Sequence, residues 1–443
     1  MEHFTKRQKD RLTLLVAALM IIISAELIIN PFGRIYSENT GILRIGVFSD
    51  SLWGEKNGYA HVILNEAIEA FKAENPGVSV VFESGIRRRD YSEWLSNEIL
   101  KGTAPDVFFV LDEDFEYLSD VGALEDLSSY ALSDESFDAG VYYDAPYDAG
   151  KRKDIQYALP YECSPEIMVV NVSILEAENI AMPGPDWTWE ECYDICRQVT
   201  GPRDNESGYQ FGISEYGWES CFCSNDVTLF SEDGKKCFLT DEKVTEAITF
   251  LDRLGRLTAK MTNVQPSFSD GNVLFQPMSY SAYNAYISNP IHMGVGSDFT
   301  WEIHTMPQGP KGDNSSALNT QLIAMNSQSS KKEQAWKLMK TLTSDPDIQR
   351  EIYRYSEGIS VCRQITHTPE DEFGMEKPNK DDQKILAMAM EHSVSHQRFR
   401  HKEEAYQQIN IAVSEILAGS GNIRMEQIIY NRRINNYLQQ ITQ

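Results

Sequence analysis

The clearest pattern in this chain lies between residues 67 and 127, which read AIEAFKAENPGVSVVFESGIRRRDYSEWLSNEILKGTAPDVFFVLDEDFEYLSDVGALEDL. The spacing of apolar residues predicts a helix that ends at Glu74, a covered strand over 78–82, a second helix around Tyr91 to Ile99 and a second strand over 106–111. The second strand is too apolar to have a wet face. Helices that alternate with buried strands predict an α/β fold.

Polar side chains follow the predicted strands at the points where the strands end. Asp112, Glu113 and Asp114 come directly after the strand over 106–111, and Trp53 lies in the loop after a first strand over 42–48. In an open α/β sheet, ligands bind in the crevice beyond the carboxyl ends of parallel strands. We therefore expect ligand-facing residues here. For the acids, the alternative is that they cap the next helix.

The composition indicates a globular protein that repels anions. The 443 residues are enough for about two or three domains, and 42% of them are hydrophobic. The formal net charge is −26. A body this acidic repels phosphate backbones and anionic lipid surfaces, which excludes nucleic acid as an expected partner.

The amino terminus predicts a membrane anchor. Residues 12–29 read LTLLVAALMIIISAELII, an apolar run broken only by Glu26, and four basic residues precede it. Such a run can span a bilayer with its basic flank in the cytoplasm. We predict a cytoplasmic segment 1–11, a single-pass anchor 12–29, a linker 30–41 and an extracytoplasmic body in a cell-membrane protein. The alternative is a cleaved signal peptide.

The seven cysteines are an odd number for an extracytoplasmic protein, so at least one is free or pairs outside the chain. None precedes Cys163, which excludes a lipid-modified mature amino terminus. We expect them to be small buried residues. The alternative is a disulfide bridge from Cys237 to Cys221 or Cys223.

Several segments in the same order resemble the extracellular solute-binding proteins of carbohydrate ABC importers, the maltose-binding-protein-like family. The matching segments are AFKAENPGVSVVFE, LKGTAPDVFFVLDE, YALPYECSPEIMVVN, DWTWEE, WEIHTMPQGPKG, SKKEQAWKLMKTLTSDPDIQ and YSEGISVCR. The resemblance covers about residues 42–440. The chain departs from the pattern in lacking the lipid-attachment cysteine, in the segment Gly271 to Phe275, and at Asn319, near a position where paired glycines are common.

This resemblance implies a two-lobed, periplasmic-binding-protein-like α/β fold with a ligand cleft at the hinge. Lobe one would comprise 42–160 with 303–355, and lobe two would comprise 161–302 with 356–443. Hinges are expected near 161–165, 300–302 and 357–358, and closure would be a hinge motion around the ligand.

A sugar has apolar faces and a rim of hydroxyls, so its cleft needs aromatic rings together with carboxylates or amides. The candidates share a position at a strand exit, at the crossover or after a short strand, and they are Trp53, Asp112, Glu113, Tyr161, Glu162, Tyr216, Trp218, Tyr280, Tyr283 and Asn319. Packing is the alternative for Tyr280 and Tyr283. Trp187 and Trp189 are expected to be structural, because they flank Thr188, which forms a capping box with Glu191.

The resemblance implies a receptor that binds an oligosaccharide and delivers it to the permease subunits of an ABC importer. One alternative is a tethered ectodomain that senses its ligand for a signalling partner. A remote alternative is a glycoside hydrolase that uses Glu162 and Glu215. No enzymatic activity, cofactor or metal is expected, because the common catalytic motifs are absent and cations flank His392 and His396.

Overall fold

The computed structural model describes residues 41–53, 60–83, 85–203, 208–259, 261, 264–288, 299–367, 380–419 and 421–441. The predicted anchor at 12–29 lies outside these ranges. Within them, no helix is both long enough and apolar enough to cross a membrane.

The described chain alternates strands and helices, with a helical carboxyl-terminal region. The strands are β1 Ile42–Gly46, β2 Ser79–Glu83, β3 Val107–Val110, β4 Lys151–Arg152, β5 Ile155–Gln156, β6 Ala158–Asn171, β7 Gly201–Pro202, β8 Tyr209–Ile213, β9 Val273–Ser279, β10 Trp301–His304, β11 Ser316–Met325, β12 Ile359–Ser360 and β13 Ser393–Ser395. The helices are α1 Ala60–Glu74, α2 Arg88–Lys101, α3 Asp112–Asp120, α4 Ser128–Ser133, α5 Asp144–Asp148, α6 Val172–Ala177, α7 Trp189–Val199, α8 Trp218–Ser224, α9 Glu242–Thr258, α10 Tyr280–Ser288, α11 Lys332–Ser344, α12 Pro346–Tyr355, α13 Arg363–His367, α14 Lys380–Glu391, α15 Lys402–Ala418 and α16 Ile423–Ile441.

The opening pattern is confirmed as α1, β2, α2, β3, with one correction. All four residues of β3 are buried, as an apolar strand covered on both faces should be. β2 instead lies at the edge of the sheet, in the order β2-β1-β3-β11-β6-β9-β8-β7. Val81 of this strand is 43% exposed, so β2 is not covered on both faces. Gly102 ends α2 in a left-handed conformation, with φ of 70°, which glycine adopts without strain.

Two long strands connect separate hydrophobic cores. The first core contains residues of β1, β3, α1 and α11. The second core contains residues of α7, α9 and α15. A third core between them contains residues of α10, α13 and α14. β6 contributes Leu159 to the first core and Val170 to the second, and β11 contributes Leu322 to the first and Leu318 to the third.

The chain returns from the second core to the first along β11. Met306 packs in the second core, and the indole N–H of Trp187 donates to the carbonyl of Thr305 at 2.9 Å. Residues after β10 therefore contact the second core before β11 begins. The lobe limits drawn from the sequence stay a prediction.

All seven cysteines carry free thiols, and six of them are buried. The alternative of a bridge from Cys237 is wrong for this structure. Cys221 directs its thiol to the carbonyl of Ala247 at 3.5 Å. The backbone of Cys237 is instead held on both sides by the Asn435 side chain.

The predicted capping box at the start of α7 is confirmed. The Thr188 hydroxyl accepts from the Glu191 amide at 3.2 Å, and the Glu191 carboxylate accepts from the Thr188 amide at 2.7 Å. Trp187 and Trp189 are buried on either side of Thr188, in the second core.

Replacing Thr188 with alanine should lower the free energy of unfolding by about 1 kcal/mol, because the cap of α7 loses its hydroxyl acceptor. Urea denaturation measures this change. Thr249→Ala is the matched control, since Thr249 lies exposed inside α9 and caps nothing. Equal effects of the two substitutions would contradict the role of the cap.

Candidate functional site

A cavity of about 280 Å³ lies where the ends of several strands meet. It combines residues from the exits of β1, β3 and β9, from the middle of β11 and from the segment after β13. Its lining residues are Leu52, Trp53, Arg88, Val110, Asp112, Ser279, Ser281, Leu318, Asn319, Thr320, Ser395, His396 and Arg398. We call this the central cavity. Its position at the carboxyl ends of β1 and β3 is where an α/β sheet places a ligand.

Three of the ten predicted site residues line the central cavity, and they are Trp53, Asp112 and Asn319. Trp53 comes from the loop after β1, and Asp112 is the first residue of α3. Asn319 is an exposed residue of β11 opposite Ser164 of β6. The structure thus brings together residues that are more than 200 positions apart in the sequence.

Glu162 lies behind Trp53. Its carboxylate accepts from the Trp53 indole N–H at 3.1 Å and from the Ser356 hydroxyl. Gly358 approaches so closely that a Cβ there would lie 2.9 Å from a Glu162 oxygen. Burial raises the pKa of Glu162, while its hydrogen bonds oppose that rise. Glu162 therefore positions Trp53 and is not among the residues that line the central cavity.

The other predicted residues lie outside the cavity lining. Glu113 is exposed, and its carboxylate is 3.9 Å from the Arg88 guanidinium. Tyr161 packs in the first core, with its ring centroid 5.1 Å from that of Phe109. Tyr216 lies against the second core, and its hydroxyl accepts from the Trp189 indole N–H at 3.2 Å.

Trp218, Tyr280 and Tyr283 also make contacts within the protein. The Trp218 indole N–H donates to the Asn410 side chain at 2.5 Å. Tyr280 and Tyr283 are buried in the third core, and the Tyr283 hydroxyl donates to Asp382 at 3.1 Å. These three aromatic residues are engaged in packing in this structure.

Residues 395–402 form a segment that joins the two sides of the cavity, and we call it the strap. The Gln397 side chain exchanges two hydrogen bonds with the Phe230 backbone, at 2.9 and 3.0 Å. The Ser395 hydroxyl donates to the Ala145 carbonyl at 3.2 Å. The strap therefore contacts the second core through Gln397 and helix α5 through Ser395.

Asp112 anchors the strap electrostatically to the first core. It pairs with Arg398 and with Lys402, the latter at 2.9 Å. The Arg398 guanidinium also donates to the Ala149 carbonyl. Burial would raise the pKa of Asp112, but the charges and hydrogen bonds of Arg398 and Lys402 hold it well below its usual range. Asp112 therefore remains ionised.

His396 of the strap is neutral near pH 7. Burial is the largest cause, and the neighbouring cations Lys402 and Arg398 add to it, lowering the pKa of His396 to about 4 despite the opposing charge of Asp112. A neutral imidazole can donate one hydrogen bond and accept another. His396 can therefore bind a hydroxyl group either as a hydrogen-bond donor or as an acceptor.

Two cavity residues have a buried polar side-chain atom with no hydrogen-bond partner among the described residues. They are Arg88, through its Nε, and Thr320, through its Oγ1. Buried polar atoms are almost always paired, and an unpaired one needs an explanation such as a ligand. The strand β11 supplies Thr320 and the start of α2 supplies Arg88.

A larger groove of about 1140 Å³ adjoins the central cavity and shares Ser395, His396 and Arg398 with it. Most of its lining side chains are charged, with both signs present. In the described part of the chain, no group of three or more His, Cys, Asp or Glu residues is placed to hold a metal ion.

Sequence reasoning missed most of the polar lining. Arg88 belongs to the basic run Arg87-Arg88-Arg89, and Arg398 belongs to the basic run at 397–402, which His396 directly precedes. The two arginines could have been identified because each lies in a cluster of basic residues in an otherwise acidic chain. The run at 87–89 also comes a few residues after the strand predicted over 78–82, on the side of the sheet where ligands bind.

Together, the fold and the cavity define a two-lobed α/β solute-binding protein. The chain belongs to the bacterial extracellular solute-binding protein family, whose model matches residues 59–348. This family membership indicates an extracytoplasmic location. A comparison with curated protein sequences finds no match.

Solved structures share this fold at low sequence identity. The sugar-binding protein MalE from Xanthomonas citri is 16% identical, with a TM-score of 0.73 over 90% of this chain and 98% of that one. The cyclic α-maltosyl-1,6-maltose-binding protein from Arthrobacter globiformis is 12% identical, with a TM-score of 0.72 over 91% and 100%. An ABC substrate-binding protein from Listeria monocytogenes, solved with cycloalternan, is 18% identical, with a TM-score of 0.65 over 90% and 100%.

Replacing Asp112 with asparagine should weaken the contact between the strap and the first core. The side chains of Arg398 and Lys402 are only 12% and 15% exposed, so they would be left close together without their anion. Because Asp112 itself is 40% exposed, we expect a loss of only about 1–2 kcal/mol in unfolding free energy at pH 7.

The stabilisation that Asp112 contributes should also depend on pH. The folded-state pKa of Asp112 lies below the unfolded value of about 3.9, so its stabilisation is complete above that value and is lost as the pH falls toward the folded-state pKa. Urea denaturation at pH 7 and pH 3 should show the difference between variant and parent shrinking at pH 3. Glu113→Gln, at the exposed neighbouring position, is the control; an equal loss in both variants would contradict the role of Asp112.

Proposed function

We propose that this protein is an extracytoplasmic receptor that binds an oligosaccharide in the central cavity and delivers it to an ABC permease. The observation that carries the proposal is the polar lining of that cavity, in which Arg88 and Thr320 have buried polar atoms that no described residue pairs with. A polyhydroxylated ligand supplies such partners. Membership in the solute-binding family supports the role, and the fold shared with sugar-binding proteins supports the ligand class.

Trp53, Asp112 and Asn319 are the predicted residues that we propose to contact the ligand. Trp53 offers a ring against which apolar sugar faces can stack. The adjoining groove gives a longer ligand room to continue past the strap. This favours an oligosaccharide over a single sugar ring.

We infer a binding role and not a hydrolytic one. The Glu162 carboxylate is engaged by Trp53 and Ser356, and Glu215 is exposed. Neither residue lines the central cavity, so the pair proposed for hydrolysis does not meet at the site.

Lobe closure and membrane attachment complete the proposal. β6 pairs with β11 through an irregular register beside Tyr161, and a bulge there gives the connection between the lobes a place to bend. The apolar run at 12–29 would tether the receptor near its permease.

Binding predicts a thermal shift. A ligand that binds only the folded protein raises the melting temperature, with about 2.7 kcal/mol of stabilisation at one hundred times its Kd. We expect at least one of maltotriose, cellotriose, xylotriose and digalacturonate to raise the melting temperature of the full-length protein. A shift with spermidine or a divalent cation but with none of these sugars would refute the carbohydrate assignment.

Trp53→Ala should reduce affinity for the sugar that binds best by at least tenfold, because stacking area is lost. Isothermal titration measures the affinity. Tyr117→Ala is the matched control, since Tyr117 is a 63% exposed aromatic residue on α3 outside the cavity. Unchanged affinity in Trp53→Ala would remove this residue from the site.

A further inference from the structure

The central cavity is locally cationic in a strongly acidic protein. Its lining includes two guanidinium groups, from Arg88 and Arg398, and one carboxylate, from Asp112. That carboxylate is already bonded to Arg398 and Lys402. The cavity therefore has a surplus of positive charge, although the chain carries a net charge of −26.

Arg88 is the cation with bonding capacity left. Its buried Nε has no hydrogen-bond partner among the described residues. Its closest acid in an ion pair, Glu113, lies 3.9 Å from a terminal nitrogen, beyond hydrogen-bond distance. Its backbone amide, by contrast, is satisfied by Asp50 at 2.5 Å. The side chain thus lies at the cavity wall with an N–H donor that no residue in the described part of the chain accepts.

Donors also outnumber strong acceptors in the lining. The remaining polar lining residues are serines, Thr320, Asn319 and the neutral His396, none of which is an anion. A neutral sugar would bring further hydroxyl donors to this surface. A carboxylate or sulfate only accepts, and it forms short, charge-assisted hydrogen bonds with arginine.

We propose that the ligand is an acidic oligosaccharide whose carboxylate is bound by Arg88, with Arg398 contributing to the cationic field. This rests on the proposed function and narrows its ligand class to sugars that contain uronic acid. The guanidinium fork matches the geometry of a carboxylate in a bidentate pair. Arg88 can exchange its weak interaction with the partly exposed Glu113 for an interaction with the ligand carboxylate.

The test compares disaccharides that differ only in the anionic group. Digalacturonate is paired with α-1,4-galactobiose, cellobiouronic acid with cellobiose, and sulfated neocarrabiose with neocarrabiose. Isothermal titration of the full-length protein should show that at least one uronate binds tenfold or more tightly than its neutral partner. This preference should decrease when the salt concentration rises from 50 to 300 mM, about where screening becomes effective.

Arg88→Gln should reduce the affinity for the uronate at least tenfold and change the affinity for its neutral partner less than threefold. Arg89→Gln is the matched control, because Arg89 follows it on α2 with a 73% exposed side chain and does not line the cavity. Melting temperatures without ligand show whether each variant is folded.

The outcomes separate this inference from the function it rests on. Equal binding of acidic and neutral partners, with no effect of Arg88→Gln, would overturn the acidic-ligand proposal and leave the sugar receptor intact. Preference for the sulfated disaccharide alone would overturn the carboxylate assignment. If no oligosaccharide of either kind binds, both proposals fail.

Discussion

The pairing of β6 with β11 is the constraint on which the rest of the structure depends. β6 has fourteen residues, all buried except the half-buried Glu166, and it supplies side chains to all three cores. Burial on both faces fixes the register, because a slip by one residue would turn each side chain to the opposite face. The irregularity beside Tyr161 is the exception. It lies where the strand leaves the first core, near one of the predicted hinges.

Electrostatics then set how the strap lies across this framework. Two cations with little exposure would repel each other if nothing lay between them, and Asp112 is the anion that makes their proximity tolerable. Burial, together with the charges of Lys402 and Arg398, lowers the pKa of His396 against the opposing charge of Asp112 and keeps this imidazole neutral. A ligand in the cavity would meet the strap and α3 together. It would stabilise whichever lobe arrangement offers it both sets of contacts.

Local patterns in the sequence were enough to predict the helices and strands, but not the residues that meet in the central cavity. The α1-β2-α2-β3 order and the capping box at Thr188 follow from neighbours a few residues apart, so both could be predicted. The partners of Asp112 lie 286 and 290 positions away in the sequence. No periodicity encodes such a pairing. An aromatic side chain was also weak evidence for a sugar site, because aromatic residues serve packing as well as ligand binding. Tyr280 and Tyr283 are buried in the third core.

Glu162 shows how the chain crossings and the cavity are coupled. It follows Tyr161 at the irregular point of β6 and pairs with Ser360 of β12, so it sits where two crossings meet. Its carboxylate holds Trp53 on one side and Ser356 on the other. Bending at this point must therefore either carry Trp53 along or break a buried hydrogen bond, and a buried carboxylate that loses a partner is costly. The Trp53 ring at the cavity is thus held by the strand that connects the first and second cores.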